Sequence, residues 1–241
     1  MPACPPTNTK KDGSWLSALG LDAFVLFKNR QMAVFFTFAV FIGAALQITN
    51  TFGEPFIHDF KALYPNSFGV LHPGLLMSIS QISETLFILT IPFFLNRFGI
   101  KKVMIISIFA WVLRFAFFGL GNPDSGLILL VLSMIIYGMA FDFFNISGSL
   151  FVETEADPRI RASAQGLFMI MTNGLGAFIG GVSSGWVVDY FTVNGQKNWP
   201  MIWFVFAAYA LLLGLIFPFV FKYNHIRKTN LLDAESAAIT G

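Results

Sequence analysis

The sequence is short of charge and almost without cysteine. Only 12% of its 241 residues are charged, against about 25% in a soluble domain. Cys4 stands alone, which excludes an intrachain disulfide and any cysteine metal cluster. No cofactor is expected. The net charge of +2 gives no electrostatic case for a nucleic acid partner. The opening stretch MPACPPTNTKKDGS lacks the apolar core of a signal peptide and is polar and proline-rich, as a linker or tail would be. What the chain has in abundance is apolar mass: 56% hydrophobic residues, 30 of them phenylalanine, and a mean hydropathy of +0.70. These values exclude an ordinary soluble domain and imply an all-α polytopic membrane protein.

A span needs about 20 mostly apolar residues. Six segments qualify: Met32–Phe52, Leu75–Leu95, Val103–Leu120, Leu127–Val152, Ala162–Val188 and Met201–Phe221. This gives a linker over 1–30, a six-helix bundle over 31–222 and a tail over 223–241. Before the first span, Ser14–Lys28 carries Trp15, Leu16, Leu19, Phe24 and Phe27 near helical spacing. It reads either as a short interfacial helix or as the run-in to that span. Between spans, Lys10, Lys11, Lys28, Arg30, Arg97, Lys101, Lys102, Arg159, Arg161, Lys222, Arg227 and Lys228 fall on one side, and Lys61 and Lys197 on the other. The positive-inside rule then puts both termini in the cytoplasm, and the even number of spans agrees.

Local signals fill in the loops. Asn122-Pro123-Asp124 predicts a tight outer turn. Asp157-Pro158 predicts the start of the fifth helix, with Asp157 as cap. Gly53–Pro73 reads as a longer outer loop; its His58 and His72 lack ligand spacing and read as surface histidines. In the fifth span, Gly176/Gly180 and Gly181/Gly185 form two small-xxx-small pairs on neighbouring faces. Tight packing is the plain reading, and smooth faces for sliding during a conformational change the functional one.

Polar residues within the spans are few: Gln47 and Asn50, Gln81 and Glu84, Arg114, Tyr137, Asp142 and Asn145, Gln165 and Asn173. Gln47/Asn50 and Gln81/Glu84 are spaced i,i+3, and Tyr137/Phe141 i,i+4, so each pair shares a helix face. In a bundle such faces turn toward protein or a water-filled cavity. Glu84 and Tyr137 fall near mid-membrane, Asp142 further toward the cytoplasm, and Arg114 in the outer half of its span. A structural pairing of Glu84 and Asp142 with Arg114, or a carboxyl kept neutral, competes with ligand binding and proton carriage. A pore would need polar rings repeated along the helices. An intramembrane aspartyl protease would need a second aspartate beside Asp142, and an assembly subunit leaves the polar cluster unexplained. A transporter uses it directly: amides and Glu84 hydrogen-bond a solute, and aromatics stack on it. The absence of a basic cluster disfavours an anion and points to a sugar, nucleobase or nucleoside.

PFFLNRFGIKK, Pro92–Lys102, resembles the cytoplasmic loop signature G-x-x-x-D-R-x-G-R-R/K of the major facilitator superfamily. Pro92 replaces its first glycine and Asn96 its aspartate; Arg97, Gly99 and Lys101 remain. AFVLFKNRQMAVFF, GAALQITNTFG, SISQISETLFILTIPFF, AWVLRFAFF, YGMAFDFFNISGSLFVE and RASAQGLFMIMTNG together resemble the carboxy-terminal half of bacterial nucleoside:proton symporters in that superfamily. The resemblance runs from about Ser14 to His225. It implies helices seven to twelve of a two-half transporter in the bacterial inner membrane, with the amino-terminal half missing. The chain would then be a fragment (the expectation), one half of a split transporter, or a homodimer. It further implies that Gln47, Asn50, Gln81, Glu84, Tyr137 and Phe141 contact nucleoside and that Asp142 couples to the proton. The alternatives are a sugar or other organic-solute permease of the same superfamily and a non-transporting membrane subunit.

Overall fold

The computed structural model describes residues 21–223. Six helices among them are long and apolar enough to cross a membrane: α1 (Arg30–Asp59), α2 (Pro73–Phe98), α3 (Ile100–Leu120), α4 (Leu127–Glu155), α5 (Arg161–Tyr190) and α6 (Trp199–Val220). Each coincides with an expected span. Of the helix expected over Ser14–Lys28, Leu21–Lys28 forms a 3-10 helix; residues 14–20 lie outside the described residues, as do the linker before them and the tail after 223. Ala23 and Leu26 are buried while Phe24, Val25 and Phe27 are exposed, and the Phe27 ring meets Phe36 of α1 at 5.3 Å.

The first span is longer than its sequence suggests. α1 continues through Gly53 and Pro55 to Asp59, so the first part of the expected outer loop is helical. Packing outweighs the local breakers here. Phe56 is 1% exposed and lies among Phe118, Trp199 and Trp203 at ring distances of 5.6, 5.3 and 5.5 Å. Burying so large a side chain contributes about 1.5–3 kcal/mol, and inside a bundle neighbouring helices compensate for a proline's missing hydrogen bond. At the far end of the extension, Asp59 accepts from Lys197 Nζ at 2.7 Å and Trp199 Nε1 at 3.0 Å, tying α1 to α6. Lys197 is held there by a two-stranded hairpin, Thr192–Val193 with Gln196–Lys197. Its Asn194-Gly195 turn has φ of 52° and 77°, the left-handed pair that a tight hairpin requires.

The loops at the other end are minimal. Within PFFLNRFGIKK only Gly99 is non-helical; its φ of 77° is a turn conformation that glycine adopts without strain. Lys101 Nζ donates to the Pro218 carbonyl at 3.0 Å, and Gln31 Nε2 to the Lys222 carbonyl at 2.6 Å. The start of α1 and the end of α6 therefore share one end of the bundle, together with Arg97, Lys101, Arg159 and Arg161 at the turns. Asn122 Oδ1 accepts from the amides of Asp124 and Gly126, both at 3.0 Å, closing the expected outer turn. Asp157-Pro158 does not open α5. Asp157 Oδ1 accepts from the Arg159 amide at 2.9 Å and its carbonyl from the Ile160 amide at 3.0 Å. This closed turn spends the capping group before the helix begins at Arg161.

α3 packs between α4 and α6, α2 lies along α4, and α5 lies along α1. Only one of the two expected glycine faces is engaged. A Cβ on Gly180 would fall 2.6 Å from the Ala44 carbonyl, and one on Gly176 2.6 Å from the Val40 carbonyl, whereas Gly181 and Gly185 meet nothing within 4 Å. Gly180→Leu should therefore destabilise the bundle by about 1–3 kcal/mol or more through overpacking against backbone that cannot yield. Gly181→Leu should leave thermal unfolding in detergent unchanged. Equal losses in both variants would show that the crossing is not where the helices meet.

Candidate functional site

α5 is not a continuous α-helix. Over Ile170–Gly176 its hydrogen bonds widen to a π-helix. The Thr172 hydroxyl donates to the carbonyls of Phe168 and Met169 at 2.9 and 3.3 Å, satisfying groups that the wider register disturbs. The bulge presses on α1, where a Cβ on Gly43 would clash with the Thr172 carbonyl. It also brings Thr172 and Asn173 to a cleft lined by Gly43, Leu46, Phe141 and Asn145. π-bulges recur at functional sites; nothing in the one-dimensional pattern of α5 marks this one.

The second close crossing joins α2 to α4. A Cβ on Gly138 would sit 2.6 Å from the Ser83 carbonyl, and the Ser83 hydroxyl donates to the Ile135 carbonyl. This crossing sets Glu84 against Tyr137. The half-buried Glu84 carboxylate interacts with the Tyr137 hydroxyl and with the charge of Arg114. The Tyr137 and Phe141 rings stack 5.9 Å apart and 4° from parallel. Trp111 meets Tyr137 edge-on at 6.0 Å. The result is a carboxylate beside a flat aromatic platform, midway along the bundle.

Asp142 follows the platform on α4. It is 6% exposed, and its Oδ2 is buried without a hydrogen-bond partner. Among the described residues neither Asp142 nor Glu84 is within ion-pair distance of Arg114; the ion pair found is Lys197–Asp59. The structural pairing considered for the two carboxylates is therefore not formed. Asp142 and Glu84 instead interact with each other as like charges. Asp142 opens onto a cavity of about 360 Å³ lined also by Asn145, Ser149, Gln165, Phe168 and Met169. Gln165 and Ser149 close on each other, Ser149 Oγ donating to Gln165 Oε1 at 3.1 Å and Gln165 Nε2 to the Ser149 carbonyl at 2.8 Å. Asn145 lines both this cavity and the cleft beside Phe141, so a polar strip follows α4 from the platform toward its last turns.

The structure thus brings Glu84, Tyr137, Phe141 and Asp142 together. Gln81 is exposed, one turn from Glu84 on the same face of α2. On α1, Gln47 is half-buried and donates to Thr51 Oγ1 at 3.1 Å, and Asn50 is exposed. Both lie one turn beyond Gly43 and Leu46 of the cleft wall. Among the described residues neither is seen to bond to Glu84. Of Asn145, Ser149, Gln165 and Asn173, the sequence marks all but Ser149 as polar residues within the spans but gives none a place in the site, and it does not show the contact of Arg114 with Tyr137. The first of these carry an i,i+4 signal on α4, but the Arg114 contact is purely tertiary.

Comparison with known proteins supplies the context. The family described as Nucleoside H+ symporter matches residues 1–226. A xanthosine permease of Escherichia coli is 61% identical over 228 residues, 93% of this chain and 54% of that protein. The nucleoside permease NupG of the same organism is 57% identical over 230 residues, 94% of this chain and 55% of that protein. A crystal structure of the nucleoside transporter NupG, an aspartate-to-alanine mutant, matches with a TM-score of 0.85, covering 92% of this chain and 56% of that one. The chain spans about half the length of the curated relatives it matches.

Proposed function

We propose, for a chain that belongs to the nucleoside H+ symporter family, that it supplies the carboxy-terminal half of a proton-coupled nucleoside permease of the bacterial inner membrane. It is a six-helix, all-α membrane bundle of the kind that makes up half of a major-facilitator transporter, and its family is one of secondary transporters rather than enzymes. The observation that carries the reading is the platform: Glu84 beside the parallel rings of Tyr137 and Phe141, midway along α4 and α2. A nucleoside offers a flat base for the rings and ribose hydroxyls for a carboxylate to accept. Gln47, Asn50 and Gln81 supply further amide donors and acceptors from the same open side. Asp142, with an unpartnered oxygen beside a cavity that Asn145, Ser149 and Gln165 line in part, takes and releases the coupling proton. The end bearing Arg30, Arg97, Lys101 and Arg161 faces the cytoplasm, and both termini lie there.

Substrate sites of such transporters lie at the interface between repeats, so an amino-terminal half completes this one, in the same polypeptide or as a second chain. The large apolar side chains exposed on α2 and α5, among them Leu86, Leu89, Phe93, Phe178 and Trp186, offer the surface for that half and for lipid. The test is to express the chain with the amino-terminal half of the xanthosine permease, joined or separate, in cells lacking nucleoside uptake. Saturable uptake of radiolabelled uridine or xanthosine, driven by external acid, is expected. Competition by glucosides in preference to nucleosides would favour a sugar permease, and the absence of ligand-dependent thermal shift together with absent uptake would favour a non-transporting subunit.

A further inference from the structure

Arg114 is the one basic residue within the described spans away from their ends, and it is 2% exposed. Its guanidinium carbon lies 4.2 Å from the centroid of the Tyr137 ring and 5.1 Å from that of Phe118. Nη1 donates to the Ser133 carbonyl at 2.8 Å, and the Ser133 hydroxyl donates back to the Arg114 carbonyl at 3.0 Å. Nε has no partner. The guanidinium is thus held by two aromatic faces and one carbonyl, with no carboxylate within ion-pair distance among the described residues.

That arrangement is costly. Removing a cation from water costs several kcal/mol even after relaxation, and an apolar side chain would fill the same space between α3 and α4 without that cost. We infer that Arg114 is a positioning residue for the solute site, acting through Tyr137 rather than on the solute. The geometry supplies the means. Ser133 and Tyr137 are one turn apart on α4, so the reciprocal Arg114–Ser133 bonds register α3 against the turn that carries the tyrosine. The guanidinium then lies over the ring, 4.2 Å from its centroid. With Trp111 at its edge, Tyr137 is fixed from the α3 side and offers the stack with Phe141 and the contact with Glu84 to the open side. A lysine ammonium would keep the charge but lose the broad guanidinium surface over the ring and the fork that reaches Ser133.

The inference rests on the nucleoside reading, and two measurements separate them. In the chain paired with an amino-terminal half, Arg114→Lys should raise the KM for uridine about tenfold, the scale of a desolvated cation–π contact, with the maximal rate within about twofold. The Arg114→Lys/Tyr137→Ala double variant should be no worse than Tyr137→Ala alone, because the arginine acts through the ring. Additive losses, or a fall in maximal rate at unchanged KM, would overturn the role. On the chain by itself in nanodiscs, 3-fluorotyrosine labelling gives a Tyr137 fluorine resonance, identified by its absence in Tyr137→Phe. Arg114→Lys should shift it, and an unmoved resonance overturns the inference whatever the uptake assay gives. A shifted resonance with no nucleoside uptake by the unsubstituted pair would instead sink the transport reading and leave the positioning contact standing.

Discussion

Asp142→Asn should abolish the dependence of nucleoside accumulation on a pH gradient while leaving nucleoside exchange across the membrane intact. The substitution keeps the size and a polar, hydrogen-bonding end on the side chain and removes its ability to ionise. Asp142 suits the coupling role because its surroundings leave its charge uncommitted. It is 6% exposed, has an unpartnered Oδ2, forms no ion pair among the described residues and has Glu84 as an electrostatic neighbour of the same sign. A buried charge without a partner is tolerable only if it can be neutralised or wetted, and the cavity along Asn145, Ser149 and Gln165 provides water a place to reach it. In the proposed cycle, protonation favours bundle arrangements that seal the residue and deprotonation those that open it to the cavity, a differential that would couple the ion to the conformational equilibrium. For one proton per nucleoside, an imposed gradient supports about tenfold accumulation per pH unit. The asparagine variant, paired with an amino-terminal half in proteoliposomes, should fall to equilibration, with an inside-to-outside ratio near one at every gradient. Preloaded nucleoside should still exchange. Accumulation by the variant that continues to track the gradient would remove Asp142 from the coupling path.

The spans were legible in the sequence because a bilayer demands long apolar segments, and composition alone reports them. What composition could not report was competition between local and tertiary terms. Gly53 and Pro55 argue for ending α1 early, yet the aromatic cage of Phe118, Trp199 and Trp203 around Phe56 carries the helix to Asp59. Asp157-Pro158 has the residues of a helix start, but the aspartate closes a turn first. Of the two glycine faces, identical in pattern, only that of Gly176 and Gly180 meets another helix. In the site, i,i+3 and i,i+4 spacing assigns residues to faces within a helix. It says nothing of which faces meet. Glu84 reaches Tyr137 because Gly138 and Ser83 let two backbones touch, and Arg114 reaches the same ring from a third helix. Pairing of both carboxylates with Arg114 stood as the alternative to a functional role for three charges in one bundle; the guanidinium lies instead against the rings of Tyr137 and Phe118.

Glu84→Ala should cost nucleoside affinity more than any other single truncation on α2. A hydrogen bond to a charged group contributes about 1.5–3 kcal/mol, which is roughly a ten- to 150-fold rise in the apparent dissociation constant. Glu84→Gln, which retains an acceptor but not the charge, should lie between. The carboxylate stands beside the Tyr137–Phe141 platform, so a base stacked on the rings places its ribose within reach of Glu84. In the proposed site the ring contacts are shared by nucleoside and free base, whereas the carboxylate contact belongs to the sugar. Loss of Glu84 should therefore compress discrimination as well as weaken binding: the preference for uridine over uracil should shrink by nearly the whole factor lost in uridine affinity, while the weak affinity for uracil stays within about twofold, as it must when the lost partner is specific to a hydroxyl. Tyr137→Ala should do the reverse, weakening both ligands together. Competition against radiolabelled uridine in the paired transporter reads all of these ratios. A Glu84→Ala variant with unchanged uridine affinity, or one that weakens uracil as much as uridine, would place the ribose elsewhere and leave Glu84 as a structural companion of Tyr137 and Arg114.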